Sequence, residues 1–212
     1  AIIGSAHFVF EDEGAQLESD IKERIESQMQ GLSPLYLAVD GKVVGVLGML
    51  VGSFLNVVIY RLPVMMERRW RSECCELLDQ PDTTTGVFNL ATPASRCPQC
   101  GHQIRARENI PVLSWLLLKG KCSNCQTPIS LRYPLVELAT AVLSALVFVA
   151  FGPTAKMLTA LVLTWAVIAL TMIDFDTQLL PDDITLPLVW AGLLINMNGL
   201  WVPLDKAVMG AR

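Results

Sequence analysis

Charge is what this sequence has least of: 17% of its 212 residues are Asp, Glu, Lys or Arg, against about a quarter in a soluble domain. Hydrophobic residues make up 52%, and the mean hydropathy is +0.46. The deficit is uneven. Residues 43–60, 134–152, 157–173 and 184–204 contain one charge between them, Glu137, and each approaches the ~20 residues that ~30 Å of hydrocarbon requires. One such run could be a buried core helix, but four leave too little polar surface for a soluble fold, so they are expected to cross a bilayer. Residues 1–42 are not expected to be a signal peptide. They start without methionine, carry eight acidic and three basic residues, and have neither a basic n-region nor an apolar h-region. No Gly-rich loop of Rossmann type follows a strand. Net charge is −4, which argues against nucleic acid as a partner.

The charges that are present say which way the chain lies. Ten of the sixteen Lys and Arg fall in residues 61–133 (Arg61, Arg68, Arg69, Arg71, Arg96, Arg105, Arg107, Lys119, Lys121 and Arg132), marking that loop as cytoplasmic although six acids offset them. Spans alternating from it put residues 152–156 on the far side and deliver Asp174 to the cytoplasmic face.

Within that loop stand two cysteine pairs, Cys97-Pro-Gln-Cys100 and Cys122-Ser-Asn-Cys125, separated by 21 residues. The separation is slightly longer than in most two-knuckle ribbons but keeps their logic of two tight turns around one tetrahedral ion. Gly101 stands where a knuckle needs positive φ, and Pro98 and Pro128 stiffen the turns. Four thiolates close the shell, so a structural zinc is expected. Two disulfides, or four unconnected thiols, are the competing reading. His102 is an available fifth donor but reads better as a solvated histidine, and Cys74 and Cys75, which lack the spacing, read as thiols of a reducing compartment. No internal repeat is evident, and residues 80–86, with three consecutive threonines, read as a flexible loop.

Between the third and fourth runs, Asp174-Phe175-Asp176-Thr177-Gln178-Leu179-Leu180-Pro181-Asp182-Asp183 places four carboxylates and no base in a short connector. Asp182 and Asp183 precede a helical run and suit N-caps, and Asp176 suits solvent. Asp174, at a span's end, is the hardest to explain without a function.

Three ordered blocks resemble the bacterial type IV prepilin peptidases, which also methylate the new N-terminus. They are Gly52-Ser53-Phe54-Leu55-Asn56-Val57-Val58-Ile59-Tyr60-Arg61-Leu62-Pro63; the cysteine segment with Glu108-Asn109-Ile110-Pro111 and Ser130-Leu131-Arg132-Tyr133-Pro134-Leu135-Val136-Glu137; and Asp174 through Trp190. The resemblance implies an inner-membrane aspartyl peptidase that removes a short basic leader from prepilin-like substrates, with S-adenosylmethionine as methyl donor. Asp174 matches the first of the family's two catalytic aspartates. Two are needed because one must be ionised to activate water while the other, kept protonated by its neighbour's charge, polarises the carbonyl. The family's second aspartate lies in a Gly-x-Gly-Asp motif, which does not occur in these residues. Asp182, Asp183 and Asp205 are poor substitutes, so the expectation is a peptidase cut short and inactive in cleavage. For the methyl donor, the candidates are Asn56, Arg61 and Glu137, polar groups in or beside apolar spans. Snorkelling by Arg61 and an interhelical hydrogen bond from Asn56 are the plainer alternatives.

The N-terminal part reads differently. Leu17, Ile21, Ile25 and Met29 recur every four residues, and residues 35–39, Asp40-Gly41 and 42–47 read as a hairpin. Together with Gly4-Ser5-Ala6-His7-Phe8, this stretch resembles the nucleotide-binding domain of heavy-metal P-type ATPases, without a phosphorylation loop or a Cys-Pro-Cys site. A junction near residues 47–49 then makes the chain a fusion. Residues 43–47 cannot serve both the hairpin and the first span, and lipid is expected to win because the run is barely long enough without them.

The expected architecture is therefore mainly α, with polytopic membrane helices, a cytoplasmic zinc-knuckle insertion and a small soluble αβ fragment at the N-terminus. Its expected divisions are residues 1–47, 48–133 and 134–212. A heavy-metal ATPase fragment and a non-catalytic zinc-bearing membrane scaffold are the alternative functions.

Overall fold

The computed structural model describes residues 40–81, 86–197 and 199–203, with Lys206 and Val208. The expected helix and first hairpin strand before residue 40, and Asp205, lie outside the described residues.

Helix α1, Gly41–Leu77, has 37 residues and so runs ~55 Å, nearly twice the hydrocarbon thickness. It begins in the segment that two periods compete for. Residues 42–47 are helical, so the lipid-crossing reading holds and no hairpin strand forms there. At its other end the helix passes Tyr60 and continues through Pro63 into the loop. The run Met-Met-Glu-Arg-Arg-Trp-Arg-Ser-Glu is rich in straight-chain helix formers, and apolar periodicity carries no such signal.

Helix α2 is the short Leu113–Leu117, α3 is Arg132–Phe151, and α4 is Ala155–Thr177. Helices α1, α3 and α4 are each long and apolar enough to cross a membrane. Among the described residues there is no strand, only two isolated antiparallel bridges.

Two glycines bring α1 and α3 together. A Cβ at Gly48 would lie 2.5 Å from Ser144 Oγ and 2.9 Å from the Thr140 carbonyl, and one at Gly52 would lie 2.7 Å from Glu137 Cα. The spacing Gly48-x-x-x-Gly52 puts both on one face, and Thr140 and Ser144, one turn apart, complete a seam of small residues. The hydroxyls stay satisfied in this apolar setting: Thr140 donates to the Val136 carbonyl at 2.7 Å, and Ser144 Oγ accepts from Trp165 of α4 at 3.0 Å. Replacing Gly52 by Val should therefore overpack the seam and cost ~1–3 kcal/mol. A Cβ at Gly45 meets nothing within 4 Å, so Gly45→Ala is the control, expected to raise rather than lower the unfolding midpoint in detergent.

Thr154 caps α4 by accepting the Met157 N–H at 3.3 Å. Leu55, Val58, Ile59, Leu62, Val136, Ala169 and Ile173 form the core of the three helices. Ile173 is completely buried, which fixes the rotation of α4 and turns the next residue, Asp174, outward.

The fourth apolar stretch corrects an expectation. It is not one helix over 184–204: α5, Asp182–Met197, has 16 residues, ~24 Å, short of ~30 Å of hydrocarbon. The Asn196 side-chain oxygen accepts the N–H groups of Trp201 and Val202, so the chain turns at Gly199. Trp201 then packs edge-on against Phe151 at 5.1 Å and donates to Thr159 Oγ1. A local side-chain bond ends the helix where hydropathy alone continued it.

Candidate functional site

The four cysteines converge. Their Sγ atoms all lie within 4.8 Å of one another, and those of Cys97 and Cys125 are 3.7 Å apart. A tetrahedron with Zn–S arms of ~2.3 Å has edges of ~3.8 Å, so the cluster has the dimensions and donors to hold one metal ion. None of the six cysteines is in a disulfide. The Thr127 hydroxyl, 3.1 Å from Cys125 Sγ, and the Thr127 N–H pull that thiol down to about 6.

The two knuckles repeat each other bond for bond. Cys97 N–H donates to the His102 carbonyl, Gly101 N–H to Cys97 and Ile104 N–H to Ser95. Cys122 N–H likewise donates to Thr127, Gln126 N–H to Cys122 and Ile129 N–H to Gly120. Gly101 and Gln126 both have positive φ, +68° and +61°. The expectation of no internal repeat is thus corrected. The signal was present as Cys-x-x-Cys-x-x-x-Ile, which occurs at 97–104 and at 122–129.

Glu108 fastens the lobe. Its Oε2 accepts the Arg105 N–H at 3.0 Å and lies 3.3 Å from His102 Nε2. The Arg105 N–H first, then the Ser123 hydroxyl and His102, hold this carboxyl below the usual carboxylate range. His102 is therefore engaged with a carboxylate rather than solvated. Trp115 packs its ring over Gly120 and donates to the Ile129 carbonyl at 3.2 Å, covering the second knuckle.

Of the three polar candidates for the methyl donor, Arg61 and Glu137 bind the loop to the helices, and Asn56 binds helix to helix. Arg61 is 7% exposed and does not snorkel. Its guanidinium donates to the main-chain carbonyls of Asn89 and Pro93, with the Phe88 ring 5.5 Å away and Arg68 on the same ring at 4.3 Å. Asn56 donates to the Tyr133 carbonyl at 3.1 Å, joining α1 to the start of α3. Glu137, also 7% exposed, accepts the Val112 N–H at 2.7 Å. Close by, Leu50, Ser53, Phe54, Val57, Asn109 and Pro111 line an open pocket of about 260 Å³.

Asp174 lies elsewhere, in the last turn of α4, exposed. The αL residue Gln178 ends the helix by donating to the Asp174 carbonyl, leaving the side chain out of the cap. The other carboxylates of the connector are engaged. Asp176 takes a two-pronged ion pair from Arg132, one contact 2.8 Å. Asp183 faces Arg69 at 3.7 Å, and Asp182 lies 3.5 Å from the Thr185 hydroxyl. Asp182 and Asp183 are the first residues of α5, one position inside the expected caps, where their charge faces the positive end of the helix dipole. Arg132 thus ties the exit of the second knuckle to the helix end bearing Asp174, a link over 44 residues.

Comparison with known proteins supplies two family matches: the Bacterial Peptidase A24 N-terminal domain over residues 46–151, and the Type IV leader peptidase family over 161–212. The chain is 57% identical over 166 residues to a prepilin leader peptidase/N-methyltransferase of Pseudomonas putida, covering 78% of this chain and 58% of that protein. To the protein of the same name in Neisseria gonorrhoeae it is 53% identical over 187 residues, 87% of this chain and 64% of the relative. To that of Aeromonas hydrophila it is 51% identical over 183 residues, covering 85% and 62%. The chain thus spans about three fifths of these relatives' length. No solved structure matches. The likeness of residues 1–47 to a P-type ATPase draws no support from these matches, which favour neither that alternative nor the scaffold.

Proposed function

Because the chain belongs to the type IV leader peptidase family, we propose that it carries the methyl-transfer region and part of the peptidase region of a prepilin leader peptidase/N-methyltransferase. Residues 48–133 are the methyl-transfer part, held on a structural zinc bound by Cys97, Cys100, Cys122 and Cys125. Residues 134–212 belong to the peptidase part, with Asp174 as one of its two catalytic carboxylates. Asn56 and Arg61, with Glu137 just past the boundary in α3, serve the methyl-transfer region: Arg61 and Glu137 hold its loop against α1 and α3, and Asn56 holds the two helices together. The protein lies in the inner membrane with residues 61–133 on the cytoplasmic side, where ten of its Lys and Arg are found.

One observation carries the methyl-transfer half: Glu137 of α3 accepts the Val112 N–H of the cysteine lobe, next to a pocket that the apolar run of α1 lines together with Asn109 and Pro111 of that lobe. A substrate anchored in the bilayer by a hydrophobic helix presents its free amino terminus at that level. Transfer requires the neutral amine to attack the methyl carbon of S-adenosylmethionine. The new C–N bond forms as the C–S bond breaks, S-adenosylhomocysteine leaves, and the nitrogen gives up a proton to water.

The test uses the 212-residue chain in detergent with its zinc, a pilin-like peptide already lacking its leader, and S-adenosylmethionine labelled in the methyl group. Label on the peptide's α-amine is the expected result. Absence of transfer from correctly metallated protein overturns this reading.

A further inference from the structure

The backbone between the first knuckle and α2 makes an unusual turn. Val112 has φ +58° and ψ −46°, and the Leu113 N–H donates to the Pro111 carbonyl at 2.5 Å. A bond from residue i+2 back to residue i with these angles is a γ-turn of the rare, strained hand. Val is a poor occupant, because a β-branched side chain is crowded at positive φ. Ile110 and Ser114 bracket the turn, the Ile110 N–H donating to Ser114 Oγ at 2.9 Å and the Ser114 N–H to the Ile110 carbonyl at 3.0 Å, but neither bond engages the N–H of Val112 itself.

Glu137 holds it. Its carboxylate, buried in the second turn of α3, receives the Val112 N–H at 2.7 Å from 25 residues away, and Ser53 stands near it on α1, beside the Gly52 at which the two helices touch. The closeness of α1 at Gly52 leaves that carboxylate little other room. Ser53 also lines the pocket, and Pro111, the residue before the turn, forms the wall facing it with Asn109. A single carboxylate therefore stands between both walls: it faces Ser53 on one side and holds the other through the Val112 amide.

We propose that Glu137 is a positioning residue for methyl transfer, setting the distance between the Ser53 wall and the Asn109–Pro111 wall of a pocket that receives the apolar amino-terminal residue of the acceptor peptide. The pocket's lining suits that occupant. Leu50, Phe54, Val57 and Pro111 offer apolar surface, and Ser53 and Asn109 offer neutral hydrogen-bonding groups, with no charge among the lining residues. An uncharged lining favours an apolar side chain, and it favours the neutral form of an adjacent amine, the form that can act as nucleophile. This assignment rests on the methyl-transfer reading above, but the carboxylate's hold on the turn can be measured without it.

Three proteins decide the matter: wild type, Glu137→Ala and Glu137→Gln, each zinc-loaded in detergent. Gln keeps a carbonyl that can accept the Val112 N–H, so it is the conservative rescue. Hydrogen exchange of residues 109–113 is expected to quicken by an order of magnitude or more in the Ala variant and to stay near wild type in the Gln variant. The knuckle segments and the zinc content should be unchanged in both. In methylation assays, Glu137→Ala should raise KM for the acceptor peptide on the order of 10- to 100-fold, leaving KM for S-adenosylmethionine within about twofold. Unchanged exchange at 109–113 overturns the positioning role, whatever the activity. Faster exchange with an unaltered peptide KM, or with a loss confined to S-adenosylmethionine, overturns the pocket's assignment to the acceptor. Wild type that transfers no methyl group tells against the functional reading above, and the exchange result still stands or falls alone. Should Glu137→Ala fail to fold, Ser53→Ala, which removes the hydroxyl facing Glu137 without adding bulk to the pocket that Ser53 lines, is expected to give a peptide-specific rise in KM, and its absence counts against the assignment.

Discussion

Replacing Cys97 by Ser should empty the cysteine cluster of zinc and unfold the lobe around it, while α1, α3 and α4 persist. The effect should be large because the lobe has little else to hold it. Its backbone makes two isolated bridges, a four-residue 3-10 helix over Ala106–Asn109 and one short α-helix, and Trp115 packs on Gly120. A structural zinc with four thiolates contributes ~10–16 kcal/mol to the folding of comparable small units at pH 7. Metal analysis should fall from close to one equivalent to nearly none. Limited proteolysis should then cut within residues 95–130 while the helices in detergent resist. A strong chelator should do the same to the wild type. The direction with pH follows from ligand chemistry: thiolates bind metal and thiols do not, so the site should release zinc on acidification. Variant protein that retains a full equivalent, or an intact lobe without metal, would falsify the structural role.

The 212 residues alone should leave a prepilin uncut. Asp174 is exposed at the end of α4, and the structure shows why its neighbours do not stand in for a partner. Asp176 is held by Arg132, Asp183 faces Arg69, and Asp182 lies beside Thr185 in the first turn of α5. A lone carboxylate titrates once and can be either base or acid, whereas hydrolysis of a peptide bond needs both forms at once. Removing one member of a jointly acting set commonly costs several orders of magnitude in rate. Mass spectrometry of the leader junction after incubation should therefore find only precursor. Adding a second polypeptide with the Gly-x-Gly-Asp helix should restore cleavage, and Asp174→Asn should abolish it in that mixture. Cleavage by the chain alone that Asp174→Asn removes would sink the two-carboxylate argument and point to a partner among Asp182, Asp183 and Asp205.

The sequence by itself determined whatever depends on neighbours along the chain. The length of an apolar run marked three helices long and apolar enough to cross a bilayer, because hydrocarbon thickness sets that length. The x-x spacing fixed two knuckles because a thiolate pair needs a tight turn, and Gly101 showed where positive φ would fall. The same local logic was available but unread in Gly48-x-x-x-Gly52 and in the repeated Cys-x-x-Cys-x-x-x-Ile. It misled where one polar side chain overruled the hydropathy, as at Asn196, which ends α5 early.

What only the tertiary structure decided is which polar group meets which. Glu137 stands out in the sequence as a charge among apolar residues, which suggests a function but not a partner. Its partner is a backbone amide, and every residue but proline has one, so no residue type at position 112 could have marked it. Arg61 likewise binds carbonyls of the 89–93 segment, and Arg132 chooses Asp176 among four nearby aspartates because the second knuckle exits beside the end of α4. Burial makes the pairings of Glu137 and Arg61 strong, since an unpaired polar group in an apolar environment is costly, whereas the pair of Arg132 and Asp176 lies toward the surface. Burial is a property of the assembled helices, and so the sequence could name the groups while the fold alone assigned their partners.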